Sequence, residues 1–465
     1  METIKKFYLQ AFSPTSIASL VYFRILFGII MLWEVLRYFG NGWIHTYYIK
    51  PQFNFTYHGF HWIKPLVPAG MYTVWILIGI CSILIALGLF YRIACICFFF
   101  LFSYIFLLSK SHYLNHFYFV ILISFIMIFI NPHKSFSLDL RRGAVKESDT
   151  ILNWELWLLK FQMGVVYFFG GIAKIDPDWI SGVPLNRWIN PQKFTPFIAD
   201  ILSHKLAPVF LSWSGLLLDL LVVPALLYKK TRPFALISLA LFHISNHFLF
   251  KIGIFPWFSL GISFLFLASD FPLTFLEKIK KIQLKRPKLS RLKGASSLSQ
   301  KQKSLAIGIT FFILYNCLMP LRHRFYKGDT HWTELGHSYA WRMKLRDKKV
   351  FNPTFYFLDR DTGDKWEEKA SNRLSKRQWR IMGGHPEMIL SYVGFLKRNY
   401  AKRGRKNLRI RVKAYVSLNF RTKQRIIKKH YDLENLSDCT FCNPDWINPL
   451  KEDNKRSFKK AFNQL

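Results

Sequence analysis

Lys174 stands at the end of an apolar run, in the stretch 168–179 (FFGGIAKIDPDW). Pro177 cannot continue a helix without losing a hydrogen bond and clashing, so we expect a helix to end near Lys174. Gly170 and Gly171 would let a neighbouring helix approach closely. An amine at such a depth loses part of the solvation of its charged form, which would suit a base near neutral pH. The alternative is a lysine whose amine simply reaches the membrane surface.

A second polar group lies within an apolar run, at 242–247 (FHISNH). A helix would place His243, Asn246 and His247 on one face. Ionisable residues inside a membrane span are costly, which makes each a functional candidate. Two histidines four residues apart could bind a metal, but zinc needs a third ligand and no HExxH-type companion is found. We favour a hydrogen-bonding face that lines a cavity, and predict no metal site.

Three weaker candidates complete the polar set. Asn115 and His116 begin another apolar run, where an interfacial polar cap is the alternative to a functional site. Asp219, within 215–220 (GLLLDL), could form an ion pair between helices. The single CxxC at 439–442 has no second pair, so a local disulfide is favoured over zinc.

The elements that position these residues must be membrane helices. The 465 residues are 51% hydrophobic and 18% aromatic, yet Lys and Arg number 65 against 27 for Asp and Glu. Soluble domains are rarely so aromatic and so basic at once, whereas multispanning proteins with basic loops are both. The formal charge of +38 would also suit a nucleic-acid binder, but no nucleic-acid motif accompanies it. We predict an integral membrane protein without a nucleic-acid partner.

Nine apolar runs approach the roughly 20 residues that a membrane helix requires. They cover residues 18–39, 71–91, 93–109, 115–131, 152–173, 208–228, 233–250, 252–268 and 304–320. Eight spans with one re-entrant segment are the alternative. If the N-terminus lies inside, the basic loops at 132–150, 229–232 and 269–303 also lie inside, as the positive-inside rule favours. Nine spans then place Lys174 and the C-terminal segment outside.

After the transmembrane domain 1–320, residues 321–465 change character and predict a β-rich α+β outer domain. Apolar and polar residues alternate over 408–419, as in a half-buried strand. The turn signal at 359–364 (DRDTGD) predicts a hairpin, and 386–400 predicts an amphipathic helix. The basic surface of this domain suits either an acidic partner or anionic lipid headgroups.

Several short stretches, in order along nearly the whole chain, resemble the vitamin K-dependent gamma-glutamyl carboxylases and their bacterial relatives. In the apolar part they are FRILFG (23–28), GLFYRI (88–93), NH (115–116), KIDPDW (174–179), GLLLDL (215–220), HISN (243–246) and IGIF (252–255). In the C-terminal part they are WT (332–333), SYAW (338–341), VSLN (416–419), QR (424–425), Trp446 and PL (449–450). The length of the chain suggests a bacterial member.

The resemblance implies an enzyme that uses reduced vitamin K, O2 and CO2. In this family the hydroquinone is deprotonated, and its reaction with O2 yields a much stronger base. That base removes a γ-proton from a glutamyl side chain, CO2 adds, and the quinone leaves as the epoxide. For a bacterial member the natural quinol would be menaquinol. The expected partners are a Glu-containing protein or peptide and the lipid bilayer.

The resemblance also implies roles for single residues. Lys174 falls at the catalytic lysine that deprotonates the hydroquinone, and His116 at a histidine that assists carboxylation. Cofactor binding is expected of His243, Asn246, Asn115 and Phe255, and substrate binding of Trp332, His337, Tyr339 and Trp341. Two other functions are weighed beside this one: a quinol epoxidase that does not carboxylate protein, and a non-catalytic membrane module that binds acidic polymers or lipids.

Overall fold

A helical bundle followed by a sheet-containing C-terminal region makes up the chain, as the sequence predicted. The computed structural model describes residues 9–250, 252–280, 298–436 and 445–451. The predicted CxxC disulfide and residues 281–297 of the basic loop 269–303 lie outside the described residues.

The helices differ widely in length. In chain order they are α1 (Ala18–Gly40), α2 (Pro68–Leu87), α3 (Tyr91–Leu107), α4 (Asn115–Phe129), α5 (Leu138–Arg141), α6 (Asn153–Lys174), α7 (Pro177–Ile180), α8 (Val183–Trp188), α9 (Pro196–Ser203), α10 (Ala207–Leu227), α11 (Arg232–Phe250), α12 (Phe255–Ser263), α13 (Phe271–Lys280), α14 (Gln300–Leu318), α15 (Thr330–Thr333), α16 (Lys376–Met382) and α17 (Pro386–Ala401). As predicted, α6 ends at Lys174, and Pro177 begins the next short helix.

Among the described residues, six helices are long and apolar enough to cross a membrane: α1, α2, α6, α10, α11, and α14 with its continuation to Phe325. A broken pair, Phe255–Phe266 and Phe271–Ile279, would count as a seventh, but the two halves meet at 99°. The runs expected at 93–109 and 115–131 form the shorter helices α3 and α4. The predicted count of about nine spans is therefore not confirmed, because by length and composition the described residues contain six or seven.

The two ends of the bundle are distinguished by their hydrogen bonds. At one end, which we call the lysine end, Asn115 Nδ2 lies 3.5 Å from the carbonyl oxygen of Arg342, and Tyr339 N donates to Tyr113 Oη at 2.6 Å. At the opposite end, Ser19 N donates to the carbonyl oxygen of Ser269 at 3.1 Å. The C-terminal region thus packs on the end of the bundle where α6 finishes.

In the part of the chain that the structure describes, eight strands form one short pair and two three-stranded sheets. They are β1 (Pro14–Ser16), β2 (Thr150–Leu152), β3 (Lys348–Val350), β4 (Thr354–Asp359), β5 (Lys365–Lys369), β6 (Leu408–Lys413), β7 (Tyr415–Leu418) and β8 (Gln424–Arg425). β1 pairs with β2, and the sheets have the orders β3-β7-β8 and β5-β4-β6, all antiparallel. The predicted hairpin is the β4–β5 connection, and the predicted amphipathic helix is α17.

The alternating segment 408–418 belongs to both sheets of the C-terminal region. Its apolar side chains all point into one core: Leu408, Ile410, Val412, Ala414, Val416 and Leu418 are buried. The segment leaves one sheet after Lys413 and enters the other at Tyr415, so the single predicted strand is two strands, β6 and β7. Phe55, from the loop between α1 and α2, is fully buried in the same core and joins it to the bundle.

Candidate functional site

A cavity of about 1590 Å³ lies at the lysine end of the bundle. All six residues predicted to be catalytic or cofactor-binding line it: Lys174, His116, His243, Asn246, Asn115 and Phe255. Most of its remaining wall is apolar, and α10 and α11 contribute a large part of it, including Leu217, Leu221 and Leu241. The fold therefore brings together residues that are scattered over 140 positions of the sequence.

Lys174 is buried in the wall of this cavity. Its Nζ donates a hydrogen bond to Oδ2 of Asp219, and both side chains are less than a tenth exposed. On another side, Nζ lies 5.6 Å from the centre of the Trp179 ring. Trp179 is itself fixed, because its Nε1 donates to the carbonyl oxygen of Ser212 at 2.9 Å. The alternative of an amine that reaches the membrane surface does not describe this lysine. Its amine is held inside the protein by the contact with Asp219 on another helix.

Two glycines allow α6 and α10 to approach closely enough for this pair. A Cβ built on Gly170 would lie 3.0 Å from Oδ2 of Asp219, and one on Gly171 would lie 2.6 Å from Cδ2 of Leu220. Carbon atoms do not pack at 2.6 Å, so Gly171 requires the absence of a side chain. The predicted close helix packing at these two glycines is confirmed.

The histidines of the cavity are linked through an aromatic ring. The Phe255 ring centre lies 6.0 Å from that of His116 and 6.1 Å from that of His243. His243 is also held by a hydrogen bond, because its Nε2 lies 2.5 Å from the hydroxyl oxygen of Tyr167. His247 does not line the cavity and packs instead beside Trp257, with ring centres 5.4 Å apart. Only His243 and Asn246 of the predicted three-residue face therefore belong to the site.

The segment 339–345, which we call the roof segment, covers the cavity from the C-terminal region. Arg342, Met343 and Lys344 line the cavity. The backbone of this segment is strained, with φ of +62° at Tyr339 and +55° at Trp341. Non-glycine residues in this conformation cost about 1–3 kcal/mol each and persist only where the surroundings hold them. Here the Tyr113 hydroxyl accepts from the Tyr339 amide and Trp341 is buried in the bundle core.

Cations surround the mouth of the cavity under this roof. Arg342 donates from Nη1 to Nε2 of His331 at 2.6 Å and from Nη2 to Nε2 of His323 at 3.3 Å. A guanidinium only donates, so both imidazole nitrogens accept and both rings are neutral. Burial lowers the pKa of Lys344, which lies over the rings of Trp188 and Phe250, while Asp347 acts in the opposite direction. Arg377 lies over the Tyr47 ring and also lines the cavity.

The four residues predicted to bind the substrate lie beside the cavity without lining it. Trp332 is buried in the C-terminal core, where its Nε1 donates to the carbonyl oxygen of Asn448 at 2.7 Å. Tyr339 packs edge-on against Tyr113, and Trp341 lies against Tyr118. Their role in substrate binding stays a prediction. The cavity contacts of this region come instead from the roof residues that follow Trp341.

The fourth of these residues, His337, belongs to a buried cluster around Glu334. The Glu334 carboxylate contacts Arg346 at 2.5 Å and Lys348 at 2.8 Å, and His337 and His385 each lie 3.9 Å from it. Although burial acts to raise the pKa of Glu334, Arg346 and Lys348 together hold it well below its usual range. Burial lowers the pKa of His385 to about 4 and that of His337 well below 6.5. The cluster fixes the backbone on both sides of the roof segment.

Two histidines four residues apart on α11 raise the question of a metal site. Among the residues that the structure describes, no three His, Cys, Asp or Glu side chains come together in a way that could hold a metal ion. His243 uses its Nε2 on Tyr167, which occupies a nitrogen that a metal would need.

Two family models match the chain, and between them they cover most of its length. The HTTM domain matches residues 12–271, and the vitamin K-dependent gamma-carboxylase lumenal domain matches residues 301–453. The chain belongs to the vitamin K-dependent gamma-carboxylase family. No solved structure matches the chain.

Membership in the carboxylase family agrees with the resemblance seen in the sequence, and it supports vitamin K dependence and a carboxylase activity in general terms. The name of the second domain suggests a luminal position for the C-terminal region. The cavity lies where the two matched regions meet, since the HTTM region supplies Lys174 and the lumenal-domain region supplies the roof segment.

Some residues of the site were missed from the sequence. Asp219 was noted as an ion-pair candidate, but nothing in the sequence indicated that its partner is Lys174. Tyr167 lies seven residues before Lys174 in an apolar run. Nothing in the sequence indicated that its hydroxyl contacts His243. Arg342 was also missed, although it directly follows the predicted substrate-binding residue Trp341.

Proposed function

We propose that this protein carboxylates glutamyl side chains with CO2 in a reaction driven by the oxygenation of a vitamin K-type quinol to its epoxide. The observation that supports this most directly is the position of Lys174. It lies in the wall of an apolar cavity that also contains His116 and His243. Amine, imidazole and amide groups in such a cavity suit a ligand with an apolar body and hydroxyl groups.

The cavity fits a quinol in both volume and chemistry. Its volume of about 1590 Å³ exceeds the few hundred cubic ångströms of most ligand pockets, which leaves room for a ring with an isoprenoid chain. Leu221 of α10 and Leu241 of α11 line it and are more than half exposed, so protein leaves this wall largely uncovered. A lipid-soluble ligand can therefore reach the cavity from the bilayer.

When bound, the quinol would supply the reaction with O2 and the strong base that results. The protein side of the chemistry begins at Lys174, whose amine accepts a proton from a ring hydroxyl. His243 is oriented by Tyr167, and Asn246 offers amide donors and an acceptor on the same helix face. These groups, with Asn115 and the Phe255 ring, would hold the quinol, and His116 would act in the carboxylation half of the reaction.

The glutamyl substrate would approach from the lysine end. Arg342, Lys344 and Arg377 present positive charge to the cavity there, which suits a carboxylate. The imidazoles of His323 and His331 hold the Arg342 guanidinium in place as neutral acceptors. The basic C-terminal region would attract an acidic peptide over a longer range.

The proposed membrane topology is the one predicted from the sequence. The transmembrane domain would comprise residues 1–320 and the extramembrane domain residues 321–465, on the periplasmic or luminal side. The lumenal domain of the carboxylase family supports this side for the C-terminal region. The quinol then arrives from the bilayer and the glutamate from the outer compartment, and both reach the level of Lys174.

The test measures two products in the same tubes: ¹⁴CO2 incorporated into a Glu-containing peptide, and quinone epoxide. Purified protein in detergent receives reduced vitamin K or menaquinol, O2 and the peptide. We expect both products from the wild type and neither from Lys174→Ala. Lys160→Ala is the matched control, because Lys160 is on the same helix but does not line the cavity.

Other outcomes point to other functions. Epoxide without label would favour the quinol epoxidase and count against protein carboxylation. Neither product from either quinol would favour a non-catalytic membrane module. Both products from Lys174→Ala at the wild-type rate would remove the lysine from the proposed mechanism.

A further inference from the structure

We infer that Asp219 is a positioning residue for Lys174: its carboxylate fixes the amine at the cavity wall and stabilises the ammonium that forms when the amine accepts a proton. This inference rests on the proposed function of Lys174 as a base. It goes beyond that function, because it assigns a separate helix, α10, to controlling the reactivity of a residue on α6.

The first step of the argument is geometric. Lys174 ends α6, where a side chain with four methylene groups would otherwise have many conformations. Asp219 contacts Nζ from one side, and the Trp179 ring lies 5.6 Å from Nζ on another. A Cβ on Gly215 would lie 3.9 Å from Cε of Lys174, so the stem also passes against the backbone of α10. The Lys174 side chain is therefore held by residues of two elements, α10 and α7.

The second step concerns charge. Asp219 and Lys174 are buried among apolar groups, including Leu216 and Ala173. A lone ammonium in such surroundings is strongly disfavoured, whereas an ammonium beside a carboxylate is not. When Nζ takes a proton, an N–H bond forms, the donor's O–H bond breaks, and the electron pair stays on the donor oxygen. The new positive charge lies against Asp219, as a carboxylate stabilises the imidazolium of a hydrolytic triad.

The third step is that the backbone is shaped around this one carboxylate. Gly170 lies opposite Asp219, where a Cβ would come within 3.0 Å of Oδ2. The other acid that lines the cavity near its mouth, Glu34, is paired with Arg37 on its own helix. Of the described acidic side chains that line the cavity, Asp219 is the one in contact with Lys174.

The decisive measurement is the rate at which Lys174 reacts with fluorodinitrobenzene, followed by peptide mass spectrometry on the detergent-solubilised full chain without quinol. This reagent modifies neutral amines. We expect Asp219→Asn to react about tenfold faster than the wild type, because without the carboxylate the ammonium form loses its counter-charge and the neutral amine, which is both the base and the form that the reagent modifies, is favoured. Asp219→Glu should stay near the wild-type rate. Glu34→Gln removes another buried carboxylate of the cavity and should leave the rate unchanged.

The rate of epoxide formation provides a second test of the role of Asp219. With reduced vitamin K, Asp219→Asn should form epoxide about a hundredfold more slowly than the wild type, which is within the range for losing a group that assists proton transfer. Asp219→Glu should recover part of the rate. Size-exclusion profile and circular dichroism show whether each variant is folded. If Asp219→Asn does not fold, Asp219→Ser removes the carboxylate with a smaller side chain and should give the same faster labelling, with Glu34→Gln as control; labelling at the wild-type rate in a folded Asp219→Ser would overturn the role of Asp219.

The two proposals fail in different ways. If Asp219→Asn changes the labelling rate of Lys174 but the wild type has no activity on quinol, the proposed function is overturned and the interaction between Asp219 and Lys174 stands. Wild-type labelling and epoxidation in a folded Asp219→Asn would overturn the role of Asp219 and leave the function of Lys174 standing.

Discussion

Arg421 and Asp178 form a two-point contact between the C-terminal region and the turn that follows Lys174. The guanidinium donates from Nη1 and Nη2 to the two carboxylate oxygens at 2.8 and 2.5 Å, and Asn419 Nδ2 adds a third bond at 2.5 Å. Such paired, charge-assisted bonds are both strong and directional. The contact fixes α7, and with it Trp179, against which the lysine amine lies.

Arg421→Ala should therefore loosen the two regions. Asp178 is buried and would lose its counter-charge, while about a quarter of the Arg421 side chain is exposed to solvent. We expect a loss of about 2 kcal/mol, below the roughly 3–5 kcal/mol for breaking a fully buried pair. Thermal unfolding in detergent measures the change. Arg409→Ala, which removes an exposed pair with Asp432, should cost less than about 1 kcal/mol.

Gly171→Ala should destabilise the bundle and separate α6 from α10. The added Cβ would meet Leu220 at 2.6 Å, and forcing an extra methyl into a packed core costs about 1–3 kcal/mol. Gly164→Ala on the same helix is the control, because its Cβ would lie 3.5 Å from Val223, an ordinary contact. Unfolding temperatures compare the two. Equal effects would show that the close approach at Gly171 has no special importance.

His243→Ala and His247→Ala should differ, although they are one turn apart on α11. The first residue lines the cavity and the second packs against Trp257. We expect the KM for reduced vitamin K to rise about tenfold in His243→Ala and to stay within twofold in His247→Ala. Tyr167→Phe should resemble a milder His243→Ala, because it removes the hydroxyl that orients the ring. Matching KM values for the two alanine variants would contradict this assignment.

The C-terminal region should lose stability as the pH falls from about 6.5 towards 4. Burial lowers the pKa of His385 to about 4 and that of His337 well below its ordinary value. In this window the unfolded chain binds protons that the folded chain does not, so protonation favours unfolding. Glu334 adds to the loss only below about pH 4.5, where the unfolded carboxylate begins to take up protons.

Unfolding temperatures of the wild type and His385→Asn at pH 6.5, 5.5 and 4.5 test this expectation. Asn is a good N-cap residue and His385 precedes α17, so the substitution should preserve the helix. The variant should show a shallower loss with falling pH. About a third of the His385 side chain is exposed, which keeps its share of the effect smaller than that of His337. An unchanged slope would exclude His385 as a contributor.

The sequence predicted the residues of the site better than their contacts. Lys174, His116 and His243 were recognised because polar groups in apolar runs are costly and therefore informative. The pairing of Lys174 with Asp219 could not be predicted, because it depends on which helices are neighbours. The alternation at 408–418 predicted burial correctly, but local pattern does not show that a chain changes sheets at Ala414.

The span count shows a different limit. Apolar composition identified the long helices of the bundle, but it does not show which of the shorter ones cross a membrane. The helix α3 has 17 residues, the same number as the apolar run at 93–109, and α4 has 15, because Pro132 lies just beyond its end. Both are shorter than the roughly 20 residues that a membrane helix requires.

The roof segment also has a consequence for the order in which the protein is made. Ribosomes synthesise the chain from the N-terminus, so all the cavity residues on α4, α6, α10 and α11 enter the membrane before residues 342–344 exist. Until those residues arrive, the site that holds Lys174 lacks its cover and stays open to water. The Asp178–Arg421 contact is completed later still, near the end of synthesis. A ribosome-bound or truncated chain therefore has the lysine without its cover, and only a polypeptide that includes the roof segment can close this end of the cavity.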